Sequence, residues 1–346
     1  MRRYAFLILP SFNRVYAESA ATLVKAELEV FNQAVFDGRV SAIGNSEIGG
    51  VPYVTFDCAD FSEHDAALLA NLSSLYALFE VTGDLLRPVR LNRLDRFGDD
   101  LVTILKYSGK TNEQFTKLLL NVTLMTSRFA PDMRTHRFTV LDPMCGRGTT
   151  LNQALMYGYD AYGADIDKRD IEAYAAFIQR WLKDKRLKHQ AEFGIVRRNR
   201  QVVARRLQVS FAAAKDEYKA GDVQHIDVVN ADATRILEFF KPESVDLIVA
   251  DAPYGVQHAS HAGGRERTRS PLDLLAEGAP VWAKVLRSGG ALGISWNTFV
   301  ARRDDATRAL AAAGLDVMDS GPYLNFRHRV DQAILRDVLV ARKAPR

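Results

Sequence analysis

The stretch Val140-Leu-Asp-Pro-Met-Cys-Gly-Arg-Gly-Thr-Thr150 restricts the fold more than any other part of the chain. A short apolar run, Phe138 to Leu141, delivers the chain into Asp142, and Gly146 and Gly148 then bend it before an apolar-periodic helix near Thr149. That order predicts a strand, a tight turn and a helix, with the turn approaching a ligand more closely than side chains permit. Glycine suits such a turn because it lacks a Cβ and tolerates positive φ. A loop that cradles phosphate would carry a lysine after its glycines. Here an acid precedes them and no lysine follows, so a ligand carrying positive charge is expected.

Downstream, a helix over Thr150–Gly158 leads to a strand over Ala161–Asp165, within Gly-Ala-Asp-Ile-Asp167. Asp165 lies about 20 residues beyond the glycine loop, where a carboxylate can accept both hydroxyls of a ribose. A dinucleotide site would use the same acids. Its loop, however, would read Gly-x-Gly-x-x-Gly, and the later elements fit other chemistry. Strand Ile226–Asn230 runs into Ala231-Asp-Ala-Thr234, and strand Val245–Ala250 into Asp251-Ala-Pro-Tyr-Gly255. Ser270-Pro271 starts a helix, Ala291–Trp296 reads as a fifth strand and Arg302–Ala313 as a helix. Asp316–Arg329 and Gln332–Arg342 read as a closing antiparallel pair.

With these elements in order, the Asp142–Gly148 segment resembles motif I of S-adenosylmethionine-dependent methyltransferases, whose cofactor has a cationic amine and a sulfonium centre. The resemblance covers about 200 residues and implies an α/β, Rossmann-like class I methyltransferase domain with a seven-stranded mixed sheet. It implies cofactor contacts from Asp142, Pro143, Met144, Cys145, Gly146 and Gly148, and from Asp165 with Ile166. It also implies adenine contacts from Asp232 and Ala233. Asp251-Ala252-Pro253-Tyr254 resembles the (Asp/Asn/Ser)-Pro-Pro-(Tyr/Phe/Trp) motif of enzymes that methylate exocyclic amino groups of bases. Such an amino group is a poor nucleophile, because its lone pair is delocalised into the ring. A carboxylate and a backbone carbonyl accepting its two N–H bonds would orient the lone pair at the methyl donor. Asp251 and the Ala252 carbonyl would be those acceptors, and Tyr254 would stack on a base taken out of its helix. Ala252 departs from the pattern, which has proline there. An ordinary strand followed by a proline turn is the plainer reading of the same four residues.

Tyr4 to about Arg90 reads strand, helix, strand, strand, helix, strand, with helices over Glu18–Ala34 and Ala66–Thr82 and a turn at Gly49-Gly50. That order suits a small α+β, ferredoxin-like domain. It is similar in topology to the N-terminal domain of tRNA guanine-N2 methyltransferases of the THUMP group. Those relatives carry a THUMP domain of about a hundred residues next. Only about 45 residues, 93–137, follow here, with a helix over Asn112–Thr126, so a full THUMP domain does not fit. The domains expected are thus 1–92, a linker with helix over 93–137, and the methyltransferase domain over 138–346. Lys106 to Phe115 stands where the related enzymes keep a segment closing over the methionine part of the cofactor. Thr111 and Asn112 are its candidate residues, and an N-cap for the following helix is the equal alternative.

The formal net charge of +4 is unevenly placed. Between Arg180 and Lys219 twelve Lys or Arg face four Asp or Glu, a local net of +8 in a chain that is otherwise −4. This basic insertion, at about 185–222, includes Arg197-Arg-Asn-Arg200 and Arg205-Arg206. A polyanionic partner and a solvated helix face are the two readings of it. The favoured function is methyl transfer to a base amino group, with guanosine in tRNA as substrate and a cytoplasmic setting. A DNA adenine or cytosine amino-methyltransferase, and an inactive RNA-binding protein of methyltransferase fold, stay open as alternatives. Cys58 and Cys145 are the only cysteines and have no partners at metal spacing, so no metal site is expected. His258 and His261, in a loop over Gly255–Ser270 beside the pocket, lack further ligands. The apolar start Ala5–Leu9 reads as a first strand rather than a leader, and no apolar run approaches the roughly 18 residues of a membrane helix.

Overall fold

The computed structural model of the chain describes residues 1–10, 14–107, 109–252 and 270–345, with only the backbone described at 14, 15, 17 and 18. The N-terminal part runs β1 (Arg2–Ile8), α1 (Arg14–Val35), β2 (Val40–Ile48), β3 (Val51–Cys58), α2 (Glu63–Leu69), β4 (Leu75–Thr82) and β5 (Leu85–Val89). Its sheet has the order β2-β3-β1-β4-β5 and is antiparallel throughout. The first four strands thus take the ferredoxin-like order, and β5 adds an edge. In α1, Ala20, Leu23, Val24, Leu28 and Phe31 recur on one face and are buried.

The helix expected over Ala66–Thr82 is two elements instead. The α2 helix starts at a Ser62–Asp65 capping box. It stops where the Asn71 amide donates to the carbonyls of Ala67, at 2.9 Å, and Leu68, at 3.4 Å. The run Leu75-Tyr-Ala-Leu-Phe-Glu-Val-Thr82 then pairs with β1 and β5 as a strand. Apolar residues at both period two and period four leave such a run ambiguous until it finds a partner.

The segment that follows carries α3 (Asp100–Thr103) and α4 (Glu113–Thr126). Nearly all of α4 is buried, from Phe115 to Thr126. On one side, Thr123 packs so close to the second sheet that a Cβ on Gly293 would lie 1.9 Å from its hydroxyl. On the other, the Asn121 amide donates to Glu27 of α1 at 2.7 Å and to the Asn71 carbonyl at 2.8 Å. Ser73 donates to the same Glu27 from its backbone and its hydroxyl, the latter at 2.6 Å. Burial pushes this carboxyl up to about 7, opposed by the Asn121 and Ser73 hydrogen bonds. A continuous apolar core joins Phe6, Leu28 and Phe56 below the first sheet to Leu118, Val140 and Leu155 of the second part.

The remaining elements are β6 (Thr139–Asp142), α5 (Thr149–Met156), β7 (Asp160–Asp165), α6 (Lys168–Asp184), β8 (His189–Arg198), β9 (Gln201–Phe211), α7 (Lys215–Ala220), β10 (Gln224–Asn230), β11 (Val245–Asp251), α8 (Pro271–Val285), β12 (Leu286–Asn297), α9 (Arg303–Ala312), β13 (Leu315–Met318), β14 (His328–Arg329) and β15 (Leu335–Lys343). The sheet order is β13-β15-β12-β11-β6-β7-β10-β9-β8, with β14 beside β15. Strands β12, β11, β6, β7 and β10 are parallel to their neighbours in that run, and the other pairings are antiparallel. The sequence implies seven strands. The sheet has ten, because the basic insertion is a β-hairpin, β8–β9, that extends the edge at β10, and β14 adds a short third strand. Ion pairing to neighbouring elements, described below, holds that hairpin against the sheet rather than leaving a solvated helix. The chain reverses direction across the sheet at β6, between β7 and β11, which places a crevice at the carboxyl ends of these strands. Among the described residues no helix is long and apolar enough to cross a membrane.

Candidate active site

Asp142 ends β6 and points into that crevice. It is 3% exposed and accepts the Met144 N–H at 3.0 Å. Burial pushes its carboxyl up to about 7, with Asp165 and Asp251 nearby adding repulsion. The loop beyond it is tied down at several points. Cys145 N–H donates to the Ala164 carbonyl at 2.9 Å, and Gly148 N–H to the Cys145 carbonyl at 2.8 Å. The Asp165 carboxylate accepts the Gly146 N–H on one oxygen and the Asp167 N–H on the other, both at 2.8 Å. Burial raises the Asp165 carboxyl, and these two bonds oppose it. Gly148, at φ +83°, lies against α6: a Cβ there would sit 2.3 Å from the Tyr174 ring. Gly146, at φ +49°, faces open space. Pro143 is buried within the turn, and Cys145 packs its buried thiol against Gly163.

Past Asp165, Ile166 stands 66% exposed at the end of β7. Asp232 caps a 3-10 turn over Ala233–Glu238, with one oxygen accepting from Thr234 N–H at 2.8 Å and its hydroxyl at 2.7 Å. Ala233 is buried and its carbonyl accepts the Trp282 indole N–H at 2.9 Å. Ile166, Asp232 and Ala233 therefore sit at the ends of neighbouring strands, on the same edge as the glycine loop.

Asp251 ends β11 on this edge. The register Ile248↔Leu141 puts it two residues farther along than Asp142, roughly 7 Å at ordinary strand rise. Thr111 and Ser295 both donate their hydroxyls to it, on different oxygens. The Arg336 guanidinium lies 3.7 Å from the oxygen that Thr111 uses. Ala252 is buried, and its N–H donates to the Ser295 carbonyl at 2.8 Å, extending the β11–β12 ladder. A proline here could not make that bond. The hydrogen bond thus restrains the backbone where the related motif uses a ring. Pro253 and Tyr254, and the loop with His258 and His261, lie outside the described residues.

The stretch before α4 bridges the two halves of the site. The Tyr107 hydroxyl is 3.0 Å from that of Thr149, and Arg147 stacks over the Tyr107 ring at 5.0 Å while binding Asp170 at 2.8 Å. Thr111, four residues on, reaches Asp251. Asn112 caps α4 by accepting the Phe115 N–H at 3.1 Å, the role its position equally suggests. Tyr107, Arg147, Ser295 and Arg336 were not legible as site residues. The first two lie inside the Lys106–Phe115 stretch and the glycine loop, but only the fold shows that they stack on each other, and the last two come from strands whose sequence reads only as core.

Along β9, pairing with β10 reaches Arg206↔Val229, whereas β9 begins at Gln201. The distal part of the hairpin therefore runs beyond the carboxyl end of β10, on the side of the site. Three of its arginines are engaged in the fold: Arg206 binds Asp227 through two bonds of 2.6 and 2.5 Å, Arg205 binds Glu172, and Arg198 binds Glu238 at 2.9 Å. Arg197 and Arg200 are exposed near the tip, with Ile195 at 47% and Val202 at 57% exposure beside them.

Residues 132–282 match the family described as RMKL-like, methyltransferase domain. That span runs from the approach to β6 through the glycine loop and Asp251 into α8. These elements form a class I methyltransferase domain, whose cofactor is S-adenosyl-L-methionine. Curated proteins gave no match to the chain. Among solved structures, TrmN from Thermus thermophilus is similar over 85% of this chain and 57% of its own, at 17% identity and a TM-score of 0.41. The chain thus spans little more than half the length of that protein. Magnesium protoporphyrin IX methyltransferase (ChlM) from Synechocystis PCC 6803, with bound SAM, is similar over 71% of this chain and 90% of its own, at 12% identity and a TM-score of 0.39.

The residues present fit this cofactor. Among the described residues neither Asp142 nor Asp165 forms an ion pair with Lys or Arg, so the cradle is acidic and calls for a cation. Open space stands over Gly146, and the apolar side chain of Ile166 is exposed on the same edge.

Proposed function

We propose that the chain methylates an exocyclic amino group of a nucleic-acid base, with guanosine in tRNA as the favoured substrate. The observation that carries this reading is the placement of Asp251. Its carboxylate stands at the carboxyl end of β11, beside the acidic cradle, fixed by Ser295 and covered by Thr111. When bound, the cofactor supplies an electrophilic methyl group on a sulfonium centre. Asp142 would hold its amine, Asp165 its ribose, and Ile166, Asp232 and Ala233 its adenine. The substrate amino group would displace the Thr111 hydroxyl and donate one N–H to Asp251, with the Ala252 carbonyl accepting the second. That aligns the nitrogen lone pair with the methyl group. Asp251 and the Ala252 carbonyl would hold the nitrogen facing the methyl group that the cofactor supplies, and the proton the nitrogen sheds on methylation would pass to solvent.

The basic hairpin supports a polyanionic substrate, because its exposed arginines, Arg197 and Arg200, project past the sheet edge that holds the site. Phosphate contacts there would place a nucleic-acid strand across the crevice. Incubating the protein with S-adenosyl-L-methionine and unmodified tRNA, then digesting to nucleosides for mass spectrometry, tests the assignment. A new N-methylguanosine made by the wild type and lost in Asp251→Ala is the expected result. Loss of about a hundredfold or more in single-turnover rate, with cofactor affinity retained, would mark an acceptor that matters in the transition state. A wild-type rate in Asp251→Ala would move the chemistry elsewhere. Absence of cofactor binding would favour an inactive binding protein.

A further inference from the structure

Arg336 lies on β15 and is 3% exposed, an unusual setting for a guanidinium. β15 pairs with β12 in the register Asn297↔Arg336 and Ser295↔Val338, and β12 pairs with β11 at Asp251↔Ser295. The arginine therefore stands one strand beyond Ser295, at the carboxyl end of β12, and turns back towards Asp251. Its guanidinium carbon lies 4.2 Å from the centre of the Phe115 ring, and its Nη2 lies 3.7 Å from Asp251 Oδ2. Phe115 also meets the buried His328 ring at 5.1 Å. His328 Nδ1 is 2.9 Å from the Phe326 carbonyl, and burial holds the imidazole down to about 4, so it brings no second positive charge at neutral pH.

A buried guanidinium is costly unless a carboxylate compensates it, and the pair then resists separation. Arg's planar fork, clamped on an aromatic face, is also stiff. The Asp251 carboxylate is thus gripped from two strands, by Ser295 on one oxygen and Arg336 beside the other. Thr111, from the stretch over the glycine loop, is a further contact and the one a substrate can replace. We propose that Arg336 is a positioning residue: it holds Asp251 in the orientation that accepts the substrate's amino N–H. This rests on the role given above to Asp251. Arg336 would touch neither cofactor nor base.

The test uses the full-length protein, with unmodified tRNA and saturating S-adenosyl-L-methionine in single-turnover assays. Arg336→Met should slow methyl transfer by roughly a hundredfold, the penalty of a misplaced reacting group. Cofactor affinity by calorimetry should stay within about twofold, since no cofactor contact is lost. Arg336→Lys should recover part of the rate, because it restores the charge without the stacked fork. In an Asp251→Asn background, Arg336→Met should cost little further rate. The melting temperature gives a readout independent of turnover. Asp251→Asn should lower it by roughly 5 °C by removing the carboxylate charge beside the buried guanidinium, and adding Arg336→Met should restore most of the loss. A folded Arg336→Met with wild-type rate, or melting losses that simply add, would overturn the proposal. If Arg336→Met alone does not fold, the melting comparison in the Asp251→Asn background decides the same question. Full activity in Asp251→Ala would instead sink the amino-transfer reading, so the two failures are told apart.

Discussion

The backbone N–H of Gly146 donates to a carboxylate oxygen of Asp165 at 2.8 Å, which ties the glycine loop after β6 to the end of β7. The other oxygen takes the Asp167 N–H. Asp165 is thus both a ligand candidate and the post on which the loop hangs. Asp165→Ala should weaken cofactor binding by about 1.5–3 kcal/mol, the worth of charged hydrogen bonds. Calorimetry on the folded variant checks this. Unchanged affinity would remove Asp165 from the site.

Gly146 and Gly148 should fail in different ways. A methyl at Gly148 meets the Tyr174 ring, and φ is +83°. Gly148→Ala should therefore destabilise the fold by more than the roughly 1–2 kcal/mol of the left-handed backbone alone. A methyl at Gly146 meets nothing within 4 Å. Gly146→Ala should fold with only the backbone cost and lose cofactor affinity by about tenfold or more, because its methyl enters space kept for the ligand. Thermal melts without cofactor, followed by titration, separate the two. Equal stability losses would show that the Tyr174 contact relaxes freely.

Asp142 gives a pH dependence of defined sign. Its folded-state carboxyl is raised to about 7 by burial, above the ordinary value of 3.8. The unliganded fold therefore gains from protonated Asp142 below about pH 4 and loses that gain as pH rises through about 7. A cationic ligand needs the ionised form, so cofactor affinity should rise between pH 5 and about pH 7 with release of a proton. Asp142→Asn should flatten the rise and weaken binding. Calorimetry in buffers of different ionisation enthalpy reads the proton directly. A flat profile for the wild type would place the ligand's charge elsewhere.

The basic hairpin divides its arginines by what they touch. Arg197→Gln with Arg200→Gln should weaken RNA binding and reduce the slope of log affinity against log salt by up to nearly two units, about one per lost phosphate contact. Arg206→Gln should instead lower stability, because Asp227 loses a two-point partner, and leave the slope unchanged. An unaltered slope in the double variant would mean that the tip does not meet phosphate.

The strand ends were legible wherever chemistry and turn geometry fall in one short stretch. Asp142 with its glycines, Asp165, Asp232 and Asp251 all stand on one sheet edge, where the order of motifs places them. Ser270 caps α8, accepting from Asp273 N–H at 3.1 Å, as the Ser-Pro pair implies. Features set by long-range pairing were not legible. Leu75–Thr82 becomes a strand only because β1 and β5 flank it. The Arg180–Lys219 segment reads as a polyanion-binding run or a solvated helix face, and nothing in it shows that Asp227, Glu172 and Glu238 hold three of its arginines. Ser295 and Arg336 are far from Asp251 in sequence and belong to no local pattern. Only the strand register brings them to it.

Helix α4 starts just after Thr111, which reaches the Asp251 carboxylate, and its middle is pinned to Glu27 of the first sheet's helix. A chain built this way has no seam to cut. Expressing residues 93–346 alone would expose the flank of α4 that α1 covers and strip Asn121 of two acceptors, so the fragment should aggregate rather than act as a minimal enzyme. The same coupling makes the molecule a caliper of fixed gauge. A substrate that touched the N-terminal sheet and the crevice together would have to present its reactive group at the distance this shared packing sets.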